Sequence, residues 1–135
     1  MIVADTSVLV KLVAQEPGAD VARRLRQDEI MATSVWVAET ANVFWRKVRT
    51  KEMKPADARQ FLEILLGTIR SLGSDALADE ALSLALDIDH PVYDCFFLAA
   101  AIRENTRVVT DDTRFAGAVR RHGKWSSHLR LLGEM

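Results

Sequence analysis

The chain has 135 residues, a formal net charge of -1 and 49% hydrophobic residues. This length suits a single domain over residues 1–135, and the composition excludes disordered, collagen-like and coiled-coil proteins. The single cysteine, Cys95, excludes an internal disulfide, and the 3 histidines are too scattered for a zinc site. The longest apolar run, residues 95–102, is too short to span a membrane, and the first residues lack a signal-peptide pattern. We therefore expect a cytoplasmic protein with no membrane partner.

In the N-terminal half, short apolar runs alternate with helical patterns. In chain order, the sequence predicts a strand at Ile2–Ala4, helices over about 7–13 and 17–28, a strand at Ile30–Ala32 and a helix over about 35–51. Pro17 suits the first turn of the second helix, and Ser34 suits the N-cap of the third.

The C-terminal half continues the alternation. In chain order, the sequence predicts a helix over about 56–69, a candidate strand at Ile69–Leu72, helices over about 75–86 and 91–104, a strand at Arg107–Val109, a helix over about 113–121 and a strand at Leu129–Leu132. Pro91 suits the first position of the helix that ends near Glu104. Helices that alternate with short apolar strands predict an α/β fold in three layers, with helices covering both faces of a mostly parallel sheet.

Several aspartates follow predicted strands directly. Asp5 comes after Ile2–Ala4, and the pair Asp111 and Asp112 comes just after Thr110 at the end of another strand. Ligand sites in open α/β sheets form at this carboxyl edge of the strands. Each aspartate can equally cap the helix that follows it, so position alone leaves both interpretations open.

Two further acidic residues lie in predicted helices. The helix around Glu39 is apolar nearly all round, so we expect Glu39 either to be functional or to pair with Arg46 two turns later. Asp94 opens the most apolar helix of the chain. If Pro91 occupies the first helical position, Asp94 lies beyond the usual reach of a capping side chain, which favours a functional role.

The acidic residues also lack obvious counter-ions, because no lysine or arginine directly follows any of them. Carboxylates that lie close together repel one another, and a divalent cation removes that repulsion. Mg²⁺ and Mn²⁺ prefer such oxygen ligands. A centre of this kind activates water and stabilises a pentavalent phosphorus transition state, so the residues indicate hydrolysis of a phosphate ester.

Four segments carry a family resemblance, in matching order and spacing over nearly the whole chain: Val3–Ser7, Val37–Val43, Tyr93–Ala101 and Val109–Phe115. Together they resemble the motifs of PIN-domain ribonucleases, and most closely those of VapC-type toxins from toxin–antitoxin pairs. The resemblance implies an α/β/α sandwich with the activity of a Mg²⁺- or Mn²⁺-dependent endoribonuclease. It also implies a homodimer that acts on RNA and is inhibited by a cognate antitoxin protein.

The resemblance also implies a role for each matching residue. Asp5, Asp94 and Asp112 would hold the metal, directly or through water, and Glu39 would complete the acidic set and orient the attacking water. The family pattern has one acid two residues after a threonine, which favours Asp112 over its neighbour.

Two hydroxyl side chains are supporting candidates by the same resemblance. Thr110 matches the family's threonine, and Ser7 is a second candidate near the first aspartate.

Basic residues are concentrated in two groups. Residues 46–54 hold five bases and one acid, whereas residues 75–94 hold six acids and no lysine or arginine. Such asymmetry can guide a phosphate backbone, although a solvated helix face explains the bases equally well. The candidate RNA contacts are Arg46, Lys47, Arg49, Arg114, Arg120 and Arg121.

Apolar surface provides candidates for partner contacts. The helix from Phe61 to Ile69 has more apolar side chains than one core contact needs, so it is a candidate for a dimer or antitoxin groove. Trp125 can stack on an unpaired base, but packing is the favoured interpretation.

Two alternative functions remain open from the residues. An aspartyl-phosphate phosphotransfer or phosphatase domain would use Asp5 as its nucleophile and needs a nearby lysine, for which Lys11 is the closest in sequence. A non-catalytic interaction module would use the acids to hold a structural ion or a basic peptide.

Overall fold

The apolar runs form a five-stranded sheet in which every strand is parallel to its neighbours. The computed structural model describes residues 1–135. The strand order is β3-β2-β1-β4-β5. The strands are β1 (Ile2–Ala4), β2 (Ile30–Thr33), β3 (Arg70–Leu72), β4 (Val108–Thr110) and β5 (Leu129–Leu131).

Seven helices connect or follow these strands. They are α1 (Thr6–Lys11), α2 (Ala19–Arg24), α3 (Val35–Arg49), α4 (Pro55–Thr68), α5 (Ala78–Ile88), α6 (Val92–Arg103) and α7 (Thr113–His122). Single 3-10 turns lie at Leu25–Gln27, Asp75–Leu77, Ser126–His128 and Leu132–Glu134.

The helices cover both faces of the sheet. Parallel strands are joined by right-handed crossovers, so the connections running from β1 towards β3 place α1–α4 on one face, and those running back towards β5 place α5–α7 on the other. The contacts agree, because α1 packs on α3, α3 on α4, and α5 on both α6 and α7. The predicted three-layer α/β/α sandwich is confirmed.

Burial on both faces explains the composition of the central strands. Every residue of β2 and β4 is buried, as expected for inner parallel strands covered by helices. Helix α6 contacts β1, β2 and β4, and its residues from Phe97 to Ala101 are buried. The most apolar helix is therefore the one that lies across the middle of the sheet.

Three predictions at helix starts are wrong in detail. Gly18, with φ of 88°, is the N-cap of α2, so Pro17 lies outside the helix. Ser34 is the N-cap residue of α3, as predicted, but its hydroxyl pairs with Ser74 Oγ at 2.7 Å and makes no capping hydrogen bond. Pro91 is the N-cap of α6, which places Asp94 at the third helical position.

The candidate strand before the 3-10 turn at Asp75–Leu77 is confirmed as β3. It pairs with β2 through Met31 and Arg70 and forms one edge of the sheet. No helix is both long enough and apolar enough to cross a membrane.

Candidate metal centre

The pairing of β1 with β4 brings Asp5 beside Thr110. Ala4 is in register with Val109, so the next residue of each strand lies at the same carboxyl edge of the sheet. The backbone amide of Asp5 donates to the carbonyl of Val109 at 3.2 Å, which extends this pairing by one residue. The Asp5 side chain is 3% exposed and also caps α1 by accepting from the amide of Val8.

Two hydroxyl groups tie Asp5 to the segment after β4. Ser7 Oγ donates to Asp5 Oδ1 at 2.5 Å and accepts from the amide of Asp111 at 3.0 Å. Thr110 Oγ1 donates to Asp5 Oδ2 and accepts from the amide of Asp112 at 3.0 Å. Each hydroxyl therefore bridges two strand-end segments, and together they fix the orientation of the Asp5 carboxylate.

Asp5 is easier to protonate than an ordinary aspartate. Burial raises its pKa from 3.8 to about 7, and the negative charge of Asp94 adds to the rise, against the hydrogen bonds from Ser7, Thr110 and Val8. A carboxylate has about four lone-pair sites, so these donors leave room for one more ligand.

Glu39 faces the same region from α3. Thr6 Oγ1 donates to Glu39 Oε1 at 2.8 Å, and no hydrogen bond is formed by Oε2. Burial raises the pKa of Glu39, and the charge of Asp94 raises it further, although the hydrogen bond from Thr6 opposes this. The alternative pairing of Glu39 with Arg46 is wrong, because Glu39 forms its contact with a hydroxyl from α1 instead.

Asp94 lies in the first turn of α6 and contacts His90. Nε2 of His90 donates to Asp94 Oδ2 at 2.7 Å. Burial raises the pKa of Asp94, against the hydrogen bond and charge of His90, and the charge of Asp112 adds to the rise. Asp94 therefore interacts electrostatically with each of the other three acids, because its charge also raises the pKa of Asp5 and Glu39.

The aspartate doublet after β4 divides into two environments. Asp112 caps α7, where its Oδ1 accepts from the amides of Arg114 at 2.9 Å and Phe115 at 3.2 Å, and its Oδ2 makes no hydrogen bond. Asp111 is exposed, and its carboxylate lies 3.4 Å from Lys11 Nζ. The two residues are adjacent in sequence, but only Asp112 has a carboxylate close to Asp94 and His90.

The structure brings the four predicted acids together. Asp5, Glu39, Asp94 and Asp112 line one cavity of about 630 Å³, with Thr6 and Ser7 beside them. None of the four forms an ion pair with a lysine or arginine. The donor set therefore consists of carboxylates that repel one another, which fits a hard divalent cation.

A bridge of opposite charges lies across another part of this cavity. Glu16 accepts from Lys11 at 2.9 Å and from Lys47 at 2.8 Å, and Lys11 also donates to the carbonyl of Pro17 at 2.8 Å. Burial alone would lower the pKa of Lys11, but its contacts with Glu16 and Asp111 together outweigh burial and raise it. Burial likewise favours a high pKa for Glu16, yet both lysines together lower it.

The predicted RNA contacts occupy several places. Arg46 and Lys47 line the acidic cavity, whereas Arg114 and Arg121 line a smaller cavity on the other side of Asp94 and Asp112. Arg49 lies over the ring of Trp45, 5.5 Å from its centroid.

Arg120 lies outside both cavities and forms two hydrogen bonds with Glu134 near the C-terminus, at 2.8 and 2.7 Å. Trp125 packs against the core and stacks on His122 at 4.8 Å, which agrees with the favoured packing interpretation. Cys95 is buried, and burial raises the pKa of its thiol to about 12, as expected for an inert packing residue.

Sequence reasoning missed three polar residues of this region. His90 was given no role, yet it contacts Asp94 directly. Glu16 has no predicted role, and Lys11 is named only as a requirement of phosphotransfer chemistry. The spacing of His90 four residues before Asp94, one helical turn, is the signal that points to their contact.

Comparison with known proteins identifies the family. The PIN domain profile matches residues 2–120, and the chain belongs to the PIN domain family. No curated protein matches the chain significantly by sequence.

Solved structures share the fold at low sequence identity. The chain is similar to PAE2754 from Pyrobaculum aerophilum, at 22% identity and a TM-score of 0.69 over 87% of this chain and 78% of that one. It is similar to a toxin-antitoxin complex from Klebsiella pneumoniae, at 16% identity and a TM-score of 0.65 over 84% and 88% of the two chains. It is also similar to VapBC2 from Rickettsia felis, bound to a DNA fragment from its promoter, at 19% identity and a TM-score of 0.69 over 97% and 98%.

The hydroxyl of Thr110 can be tested against a buried threonine without partners. Thr110→Val removes the donor to Asp5 and the acceptor of the Asp112 amide, so we expect a loss of about 1–3 kcal/mol in the free energy of unfolding. Thr33→Val is the matched control, because Thr33 is equally buried at a strand end and its hydroxyl has no hydrogen-bond partner. Urea unfolding of both variants measures the difference. Equal effects would contradict the bridging role of Thr110.

Asp5 should make the metal-free protein less stable as pH rises. A carboxyl with a higher pKa in the folded than in the unfolded chain binds more protons when folded, so it stabilises the fold at low pH. This contribution is lost as pH rises through the folded value of about 7. For Asp5 the expected loss between pH 5 and pH 8 is about 2.5 kcal/mol.

Urea unfolding at both pH values, with a chelator present, measures this loss. Asp5→Asn should flatten the pH dependence relative to the unaltered protein. If the two proteins lose stability in parallel between pH 5 and pH 8, Asp5 does not have a raised pKa.

Proposed function

We propose that this chain, as one domain over residues 1–135, is a Mg²⁺- or Mn²⁺-dependent endoribonuclease and the toxin of a toxin–antitoxin pair. The observation that carries the proposal is the cavity lined by Asp5, Glu39, Asp94 and Asp112, none of which has a lysine or arginine partner. Membership of the PIN domain family supports a nuclease activity. The basic side chains that share the cavity support a substrate with a phosphate backbone.

Three aspartates are the proposed metal ligands. Asp5 offers its remaining lone pair, Asp94 lines the same cavity from α6, and Asp112 offers the Oδ2 that its capping hydrogen bonds leave free. Ser7 and Thr110 hold the Asp5 carboxylate in place by hydrogen bonds. When bound, the ion supplies Lewis acidity that activates water and neutralises charge on the phosphate.

Glu39 is the proposed residue for the attacking water. Thr6 fixes one carboxylate oxygen of Glu39, and the free Oε2 is available to orient water and accept its proton. Glu39 is half-buried, which limits competition from bulk solvent for its contact with the attacking water.

Basic residues around the cavity are the proposed contacts for the phosphate backbone of the RNA substrate. Arg46 lies on α3 at the wall of the cavity, forms no ion pair and can pair with a backbone phosphate, whereas its neighbour Lys47 is held by Glu16. Arg114 and Arg121 provide two further cations beyond Asp112. RNA, in place of DNA, is the part of the proposal that comes from the family resemblance alone.

A phosphoaspartate at Asp5 is disfavoured by the geometry. Asp5 is 3% exposed, and both of its oxygens already accept hydrogen bonds, so in-line attack on a phosphate is obstructed. Lys11 does line the same cavity, but Glu16 and Pro17 hold its ammonium group.

RNA cleavage tests the activity directly. We expect the purified protein, freed of any antitoxin, to cleave RNA with Mg²⁺ or Mn²⁺ and to stop when a chelator is added. Asp94→Asn and Asp112→Asn should lower the rate by at least about 100-fold, because each removes a charged ligand. Asparagine can still cap α7, so the fold of the Asp112 variant should be kept.

Asp111→Asn is the matched control for these variants. It changes the neighbouring residue in the same way, and its carboxylate pairs with Lys11 outside the proposed ligand set. We expect less than about a threefold effect on cleavage. Cleavage by Asp94→Asn at the unaltered rate would contradict the proposed metal centre.

A protein partner is the second part of the proposal. The similarity to structures of toxin–antitoxin complexes supports a cognate antitoxin. The proposal also includes a homodimer, which the family motifs imply, and the cytoplasmic location expected from the sequence. Helix α4 leaves apolar side chains uncovered, with Ile64 43% and Leu66 54% exposed, although Leu65 between them is buried. Residues two positions apart lie on different sides of a helix, so the face of α4 that carries Leu66 is the proposed site for the antitoxin.

Coexpression with the protein encoded beside this gene tests the partner. We expect the two proteins to copurify and the cleavage activity to be silenced until they are separated. Leu66→Glu should weaken the complex at least about tenfold, because it places a charge on the apolar face. Leu82→Glu on α5, at a similarly exposed leucine, is the control. Equal weakening by both variants would contradict the assignment to α4.

A further inference from the structure

We propose that His90 is a ligand of the divalent ion, together with Asp94 and Asp112, and that it gives the centre a preference for Mn²⁺ over Mg²⁺. This inference rests on the proposed function, because it adds a nitrogen ligand to the same metal centre.

The backbone places His90 at the start of the helix that carries Asp94. Helix α5 ends at Ile88, and the left-handed conformation of Asp89, its C-cap (φ 52°, ψ 59°), turns the chain. The amide of His90 then donates to the carbonyl of Ala85 at 3.2 Å, which ties the turn to α5. His90 precedes Asp94 by four positions, and the contact between their side chains places both on the same side of the helix start.

Packing fixes the imidazole ring. It stacks on Phe115 of α7, with ring centroids 5.3 Å apart and planes inclined by 23°, and the side chain is 11% exposed. The amide of Phe115 donates to Asp112 Oδ1, so one residue positions both the imidazole and the Asp112 carboxylate. The ring is therefore pre-organised relative to the two aspartates.

The ligand atoms are close enough for one ion. One atom from each of His90, Asp94 and Asp112 lies within 4.8 Å of the other two, and His90 Nε2 is 2.7 Å from Asp94 Oδ2. An ion with ligand bonds of about 2.1 Å holds opposite ligands about 4.2 Å apart, so only small side-chain movements are needed. The ion would replace the proton that His90 and Asp94 share.

This cluster also borders a second cavity. Asp94 and Asp112 line both the main cavity and this second one of about 420 Å³, whose lining includes His90. Arg114 and Arg121 line the second cavity without forming an ion pair. Their charges are available to a phosphate group beside the ion.

The imidazole decides which metal binds better. Mg²⁺ takes oxygen ligands almost exclusively, whereas first-row transition ions accept imidazole nitrogen. A set of one imidazole nitrogen and two carboxylates therefore favours Mn²⁺ over Mg²⁺.

Electron spin-echo spectroscopy of bound Mn²⁺ tests the ligand directly, because a coordinated imidazole nitrogen modulates the echo. We expect this nitrogen modulation in the unaltered protein and its loss in His90→Gln. Glutamine keeps an N–H donor near Asp94, so a residue that only positions Asp94 would be replaced without loss of metal affinity. His122→Gln, which changes a histidine stacked on Trp125, is the control and should keep the modulation.

Calorimetric titration supplies the second readout. His90→Gln should weaken Mn²⁺ binding by at least about tenfold and change Mg²⁺ binding by less than about threefold. If Mn²⁺ binds and RNA is cleaved but the unaltered protein shows no nitrogen modulation, His90 is not a ligand and the proposed function stands. If neither ion binds and no RNA is cleaved, both the inference and the proposed function are wrong.

Discussion

The parallel pairing of β1 with β4 is the constraint on which the metal centre depends. Its register places the residue after Ala4 beside the residue after Val109, so Asp5 and Thr110 meet in the interior. The remaining acids reach the same cavity from α3, α6 and the start of α7. A shift of one residue in this pairing would send Thr110 to the opposite face and remove its hydrogen bond to the Asp5 carboxylate. The central sheet therefore sets the geometry of the site as well as the core.

The fold tolerates an arrangement of charges that is unfavourable without an ion. Burial and mutual repulsion raise the pKa of Asp5, Glu39 and Asp94. Hydroxyl donors from Thr6, Ser7 and Thr110 offset part of this cost. Backbone amides at the starts of α1 and α7, which donate to Asp5 and Asp112, offset a further part. These contacts are short-range and rigid. They hold the carboxylates in place in the ion-free protein, which reduces the reorganisation needed when a cation binds.

The sequence predicted the α/β class, the strands and the positions of the acids, because these depend on local composition and on the polarity of parallel sheets. The details of helix starts were harder to predict. Pro17 and Ser34 have the residue types of a helix start, but Gly18 and the contact with Ser74 determine the local structure. The contacts of His90, Lys11 and Glu16 also escaped prediction. Lys11 and Glu16 find partners on other elements, Asp111 and Lys47. His90 lies just outside the predicted helix, where only its spacing from Asp94 signals their contact.

The account depends most on one claim, that folding gathers distant carboxylates around a single cation-binding cavity. Crystals soaked in Mn²⁺ and measured at a wavelength where manganese scatters anomalously test it most directly. The account predicts an anomalous peak in contact with Asp94 and Asp112, and its disappearance in crystals of Asp94→Asn. A peak bound only to exposed acids elsewhere on the surface, or no peak at saturating Mn²⁺, would contradict the account.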